Sequence, residues 1–177
     1  MAIGTWTNNW RGIKNVMLLG HYKEGMTTIR PVSGTITETP ASGYVRAPSA
    51  FATTDTSPYG DHTYIRVGAS TITPTVSDTG LNVAIDSISY LSVANEAITY
   101  DTDNGTATRV VKLSIYNNSA SQTVTVAEWG LFCFFNNNGN SYYVMLYHGL
   151  LDSPVTLSPY QSATLTLTLD LTLNDPL

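Results

Sequence analysis

Residues 163–173 alternate between leucine and polar side chains. Leucine occupies every second position from Leu165 to Leu173, and threonine or aspartate fills the positions between them. Because side chains in an extended strand point alternately to opposite faces, all five leucines share one face. The pattern predicts a half-buried β-strand whose leucine face covers a core. On the opposite face, Thr166 and Thr168 are candidate interface residues.

Shorter alternating runs, separated by turn residues, precede this strand. Asn104-Gly105 lies between two such runs, which is the strongest short-range signal for a β-hairpin. The asparagine-rich segments 117–121 and 136–140 predict two further hairpin loops. The run that starts at Val124 becomes continuously apolar at Gly130, as in a strand buried on both faces or bent at a glycine bulge.

Strands that recur about every ten residues between Asn, Gly and Pro are typical of an all-β antiparallel β-sandwich. The spacing does not separate a jelly-roll from an immunoglobulin-like order of strands. We assign this β-sandwich domain to residues 63–177. Residues 1–62 contain four of the prolines, spread among glycines and short extended runs. They predict an extended N-terminal arm with long loops, packed on or swapped with neighbouring subunits.

The composition changes the picture of the surface. Only 12 % of the 177 residues are charged, which is about half the usual share, and the net charge is -5. A surface built from Thr, Ser, Asn and Tyr favours close protein contact, and the acidic balance argues against nucleic acid as a partner. No apolar run reaches the ~18 residues of a membrane span, and the N-terminal residues lack the pattern of a signal peptide. We therefore expect no membrane partner and folding in the cytosol.

The sequence offers few groups for catalysis. The three histidines, His21, His62 and His148, lie at no metal-ligand spacing, so we expect no metal and no cofactor. The single cysteine, Cys133, lies in an apolar run and is expected to fill the core. A glycosidase using Glu96 and Glu128 is the remaining enzymatic alternative. The prediction is a protein that is not an enzyme and has no catalytic residues.

Tyrosines cluster in one predicted strand. Simple alternation places Tyr143 and Tyr147 on one face and Tyr142 on the other. All three are candidate interface or core residues. The alternative is a sugar-stacking surface, to which Trp6 and Trp10 would contribute further aromatic rings.

Three stretches resemble a family of small tailed-bacteriophage virion proteins: YIRVGASTITPTVSDTGL (64–81), VAEWGLF (126–132) and YVMLYHGLLDSPVTLSPYQSATLTLTLDLTL (143–173). The resemblance covers about 110 residues and none before Tyr64. The positions that match the family pattern are Gly68, Pro74, Asp78, Leu81, Glu128, Gly130, Leu131, Phe132, Pro154, Val155, Leu157 and Pro159.

Three positions depart from the family pattern. Ala69-Ser70 replaces a step from a small residue to glycine, His148 stands where arginine is common, and Tyr160 follows Pro159 in place of glycine. None of the three motifs is catalytic in the family. The departures therefore remove no activity that the resemblance would imply.

The resemblance implies a β-rich structural protein of a tailed phage particle, located in the virion. It would assemble as a ring or trimer at the tail collar, neck or fibre base, and its partners would be copies of itself and other phage structural proteins. Two alternatives stay open. One is a capsid decoration protein on the phage head, and the other is a carbohydrate-binding, lectin-like module.

Overall fold

The structure is a computed structural model that describes residues 4–10, 44–45, 64–103, 106–137 and 140–170. Within these ranges the chain is mostly β, with a helical turn at residues 8–10. The eight strands are β1 (Gly4–Trp6), β2 (Tyr44–Val45), β3 (Tyr64–Gly68), β4 (Ile88–Asp101), β5 (Thr106–Asn117), β6 (Val124–Asn137), β7 (Asn140–Leu157) and β8 (Ser162–Asp170).

The strands form two antiparallel sheets that pack face to face. In the first sheet the order is β1-β7-β6, and β2 and β3 both pair along the remaining side of β6 at different heights. The second sheet has the order β4-β5-β8. The predicted antiparallel β-sandwich is confirmed.

The core lies between the two sheets. Trp129, Leu131 and Tyr147 enter it from the first sheet, and it continues across β5 and β8 in the second. The prediction for the leucine strand is confirmed over the described residues, since Leu165, Leu167 and Leu169 are each at most 2 % exposed. Thr166 is exposed and Thr168 partly exposed on the other face. Leu171 and Leu173 lie outside the described residues.

Two of the three predicted hairpins are present. Asp101 pairs with Thr106 in the β4–β5 hairpin, whose Asn104-Gly105 tip lies outside the described residues, and Asn137 pairs with Asn140 in the β6–β7 hairpin. The prediction for segment 117–121 was wrong, because this segment crosses from one sheet to the other. Strand β5 already pairs with β4 on one side and β8 on the other, so it has no free edge for β6.

Strand β6 is buried on both faces from Val126 to Cys133. Burial on both faces was predicted from Gly130 onwards, and it is confirmed from there to Cys133. Two bulges interrupt its pairing with β7. At the first bulge, Ala127 lies opposite four residues of β7, numbers 151–154, the last of which is Pro154. Proline is tolerated there because a bulged residue donates no hydrogen bond to the ladder.

Parts of the first 62 residues belong to the first sheet of the same chain. β1 pairs with β7 and β2 pairs with β6. The Trp6 indole Nε1 donates a 2.7 Å hydrogen bond to the carbonyl oxygen of Asp170, which links β1 to the end of β8. The domain boundary at residue 63 and the packing of the arm on neighbours stay predictions. No helix among the described residues is long and apolar enough to cross a membrane.

Candidate functional site

The segment 69–87, which we call the β3–β4 loop, is fixed to the outer face of the first sheet. Trp129 and Leu131 point into the core, so by alternation Glu128, on the same strand, points away from it. His148 pairs with Gly130 on the adjacent strand β7 and lies on this outer face beside Glu128. The outer face therefore presents two ionisable side chains to the loop.

The Glu128 carboxylate organises the backbone of the loop. Its Oε1 accepts hydrogen bonds from the amides of Ser70 (3.3 Å) and Val83 (2.8 Å), and its Oε2 accepts one from the amide of Asn82 (3.1 Å). The side chain is fully buried. Burying a carboxylate is unfavourable unless its oxygens accept hydrogen bonds. Here the donors are backbone amides from both ends of the loop.

His148 joins this carboxylate to a second one. Its Nε2 lies 2.8 Å from Glu128 Oε2, and its Nδ1 lies 2.6 Å from Asp78 Oδ2. Ionised carboxylates only accept hydrogen bonds, so both ring nitrogens must carry a proton and the ring is an imidazolium. We call Asp78, His148 and Glu128 the Asp–His–Glu cluster. Asp78 is held in turn by the amide of Thr75 (2.8 Å) and its hydroxyl (2.6 Å).

The cluster shifts the pKa of each member towards the charged form. Burial alone would raise the pKa of Glu128, but hydrogen bonds from His148 and three backbone amides outweigh it, so this pKa is lowered. For Asp78, burial is likewise outweighed by the hydrogen bonds from Thr75 and His148, and its pKa is lowered. Burial opposes the imidazolium of His148, yet its two carboxylate partners raise its pKa.

These shifts predict a pH window for stability. A raised histidine pKa stabilises the fold below the ordinary value of 6.5, and the contribution is lost as the pH rises through the folded-state pKa. A lowered pKa of Glu128 stabilises above the ordinary value of 4.5, and that contribution is lost as the pH falls through the folded-state pKa. The cluster should therefore contribute most between these two values.

Urea unfolding at a series of pH values measures this window. The free energy of unfolding should fall as the pH rises above 6.5 in the wild type, and the fall should be smaller in His148→Gln. Equal pH dependence of the wild type and the variant over that range would show that the cluster is not charged as described.

The chemistry of the cluster suits holding the loop and not proton transfer. Both nitrogens of His148 are engaged and its side chain is fully buried, so no ring nitrogen is free to take a proton from a substrate. No group of three potential metal ligands occurs within the described ranges. Burial raises the pKa of Cys133 to about 12, which keeps the thiol protonated. Glu96 lies on β4 in the other sheet, and its side chain is outside the described residues.

Two of the matching glycines permit close approach. A Cβ at Gly68 would lie 2.5 Å from Glu128 Oε1 and from the carbonyl oxygen of Val83, so only glycine lets the loop backbone reach the carboxylate. A Cβ at Gly130 would lie 2.7 Å from Phe132 Cε2. Both positions are therefore constrained by packing within the site.

The other matching residues divide between buried and exposed positions. Pro74, Leu131, Phe132 and Leu157 are buried, and the ring of Phe132 stacks on Tyr64 at 5.3 Å. The half-buried positions are Leu81, Val155 and Pro159, and Pro154 is exposed at the bulge. The first two motifs thus contribute Asp78 and Glu128 to the cluster. The third motif begins at Pro154, near the end of β7, and continues into the turn that follows.

The predicted faces of the tyrosines need correction. Tyr147 pairs with Leu131 whereas Met145 pairs with Phe132, so Leu146 is an extra residue in β7 and reverses the alternation. Tyr147 is 2 % exposed and packs on Trp129 in the core, while Tyr143 packs edge-on against Tyr64. Tyr147 is therefore a core residue of this chain and not an interface residue. Tyr142 lies on β7, and its side chain is outside the described residues.

The two tryptophans are half-buried and pack against each other. Trp6 lies on β1, with its ring centroid 4.8 Å from that of Trp10 and 5.1 Å from that of Tyr147. It packs against the core cluster. Of the residues predicted to form a sugar-stacking surface, Tyr147 is therefore unavailable because it is buried, while Trp6 and Trp10 are half-buried, so for them the alternative stays a prediction.

Sequence reasoning missed the Asp–His–Glu cluster, although each of its members had been singled out. Asp78, Glu128 and His148 are separated by 50 and 20 residues, and no local spacing brings them together. The available signal was that each of the three stretches contributes one member of the cluster. Comparisons with protein-family models, with curated proteins and with solved structures found no match to this chain.

Proposed function

We propose that this chain is a non-enzymatic structural protein of a tailed phage particle. It assembles as a ring or trimer at the tail collar, neck or fibre base, and it works by docking against copies of itself and other particle proteins. It is made in the host cytoplasm and ends in the virion.

The observation that supports this proposal is the meeting of the three phage-like stretches at one buried cluster. Asp78 comes from the first stretch, Glu128 from the second and His148 from the third. Asp78 and Glu128 match the family pattern, and His148 stands where arginine, another cation, is common. A cation between two carboxylates is therefore consistent with the architecture that the resemblance implies. The role of these residues is to fix a loop, in line with a family whose motifs are not catalytic.

The surface also suits docking. Seven large apolar side chains are exposed among the described residues, at positions Ile72, Val76, Val83, Leu91, Ile98, Tyr100 and Tyr160. Three of them lie on the β3–β4 loop that the cluster holds. A loop fixed in one conformation loses little entropy when a partner binds, so its apolar side chains contribute more of their burial to affinity.

Localisation on the particle tests the proposal. Antibodies raised against the purified protein should label intact phage particles at the junction of head and tail or at the fibre base, as seen by immunogold electron microscopy. Label spread over the head would favour the decoration alternative. Absence of the protein from particles purified on density gradients, checked by mass spectrometry, would contradict both.

A further inference from the structure

The turn between β7 and β8 holds a tyrosine in a costly conformation. Tyr160 is the only non-glycine residue with a positive φ among the described residues, at 61°. Its side chain is 58 % exposed, so burial in the core does not offset the free energy of the strained backbone. Glycine adopts the left-handed region without steric strain, whereas a bulky side chain makes this conformation unfavourable.

The turn is held rigidly from beneath. The carboxamide nitrogen of buried Asn117 lies within 3.2 Å of the carbonyl oxygens of Gln122, Leu157 and Ser158. The backbone of Asn117 also accepts a hydrogen bond from the amide of Tyr160 at 3.0 Å. These hydrogen bonds hold the backbone that carries the Tyr160 side chain.

Tyr160 is one half of an aromatic pair. Its ring stacks on that of Tyr116, with centroids 6.4 Å apart and planes at 30°. Tyr116 lies on the outer face of the second sheet, where its pairing partners are Ser89 on β4 and Ser162 on β8. The free energy gained from one aromatic pair at an exposed site is small. The pair therefore does not by itself explain why a tyrosine occupies this strained backbone position.

The neighbours that the strand register places beside Tyr116 are uncharged. Ser89 and Ser162 flank Tyr116 and bear hydroxyls, and one register position further the hydroxyls of Ser114 and Thr164 lie 3.2 Å apart. Gln161 adds a carboxamide, whose oxygen accepts a hydrogen bond from the amide of Ser158. These neighbours therefore offer hydrogen-bond donors and acceptors that carry no charge.

We propose that Tyr160 and Tyr116 form a binding site for a neutral saccharide. A pyranose ring has one face of C–H groups, which packs on an aromatic face, and a rim of hydroxyls, which matches the serine, threonine and glutamine side chains. The site is distinct from the tyrosines and tryptophans that sequence suggested. It does not depend on the assembly proposed above.

The size of the site favours a sugar over a protein. Two tyrosines offer at most about 150–250 Å² each, whereas a stable protein contact buries about 800 Å² on each partner. The neighbouring residues are small and polar and add little apolar area. One or two sugar units match this area.

Affinity electrophoresis tests the site with the full chain in native gels that contain dextran, laminarin, xylan or galactomannan. At least one of these neutral polysaccharides should retard the wild-type protein. Tyr160→Gly should weaken the retardation at least about tenfold, and its melting temperature should equal or exceed that of the wild type because the strain is relieved. The control Tyr100→Ser removes an exposed tyrosine of β4 and should leave retardation unchanged.

Three results would overturn the proposal. The first is wild-type mobility unaffected by all four polysaccharides. The second is a lower melting temperature of Tyr160→Gly, which would show that the ring is retained for the fold. The third is loss of a protein oligomer in Tyr160→Gly without any saccharide effect, which would assign the pair to a subunit contact. None of these results bears on the location of the protein in a particle.

Discussion

Glu128→Gln is expected to lower the free energy of unfolding by about 3–5 kcal/mol near pH 6, because it breaks a buried ion pair from one side. The amide keeps the size of the side chain but removes its charge from the imidazolium of His148. Its NH₂ group would also replace one acceptor oxygen with a donor, which faces either the histidine or the loop amides. Urea unfolding followed by circular dichroism measures the loss.

A matched control removes a carboxylate elsewhere. Asp103 is exposed at the β4–β5 hairpin, so Asp103→Asn should change stability by less than about 0.5 kcal/mol. Equal stability of Glu128→Gln and the wild type would mean that the cluster does not hold the β3–β4 loop as a charged group.

Leu167→Asp is expected to abolish soluble expression. Leu167 is 1 % exposed, in the middle of β8 and opposite Val111 of β5. A carboxylate at this position would lie in the apolar core without a partner, and the cost of burying an unpaired charge is comparable to the whole stability of a domain, about 5–15 kcal/mol. The soluble fraction after expression, measured beside the wild type, gives the result.

Thr166→Asp is the control on the same strand. Thr166 is exposed on the opposite face, one residue from Leu167, so its replacement puts the same charge into solvent. This variant should express and melt almost as the wild type does. A soluble Leu167→Asp variant with normal melting would refute the assignment of the leucine face to the core.

The sequence was sufficient for features that depend on local periodicity. Leu165, Leu167 and Leu169 face the core because alternate residues of a strand lie on the same face, and the apolar face is the one that is buried. The Asn-Gly hairpin follows from turn chemistry in the same way. These predictions held because each rests on a few adjacent residues.

The alternation of apolar and polar residues could not predict features that depend on a bulge or on contacts between residues far apart in sequence. A single extra residue, Leu146, moves Tyr143 and Tyr147 to different faces, and nothing in the sequence marks it as a bulge. Segment 117–121 resembles a hairpin loop, and only the occupied edges of β5 make it a crossover. The Asp–His–Glu cluster forms only when the fold brings together one loop residue and two strand residues, so it could not be predicted from local spacing.

The threonine face of β8 gives a test of the proposed assembly. Strand β8 is an edge of the second sheet among the described strands, and Thr168 is partly exposed on it. Thr168→Arg adds a long charged side chain without touching the core. If this face contacts a neighbouring subunit, the variant should dissociate the oligomer at unchanged melting temperature, and an intact oligomer would show that the face is free.

The mass of the purified protein in solution tests the central claim, that the chain acts by assembling with copies of itself. Size-exclusion chromatography with light scattering should give at least three times the chain mass of 19.2 kDa, as expected for a trimer or ring. A mass of 19.2 kDa at all concentrations up to the solubility limit would contradict the account.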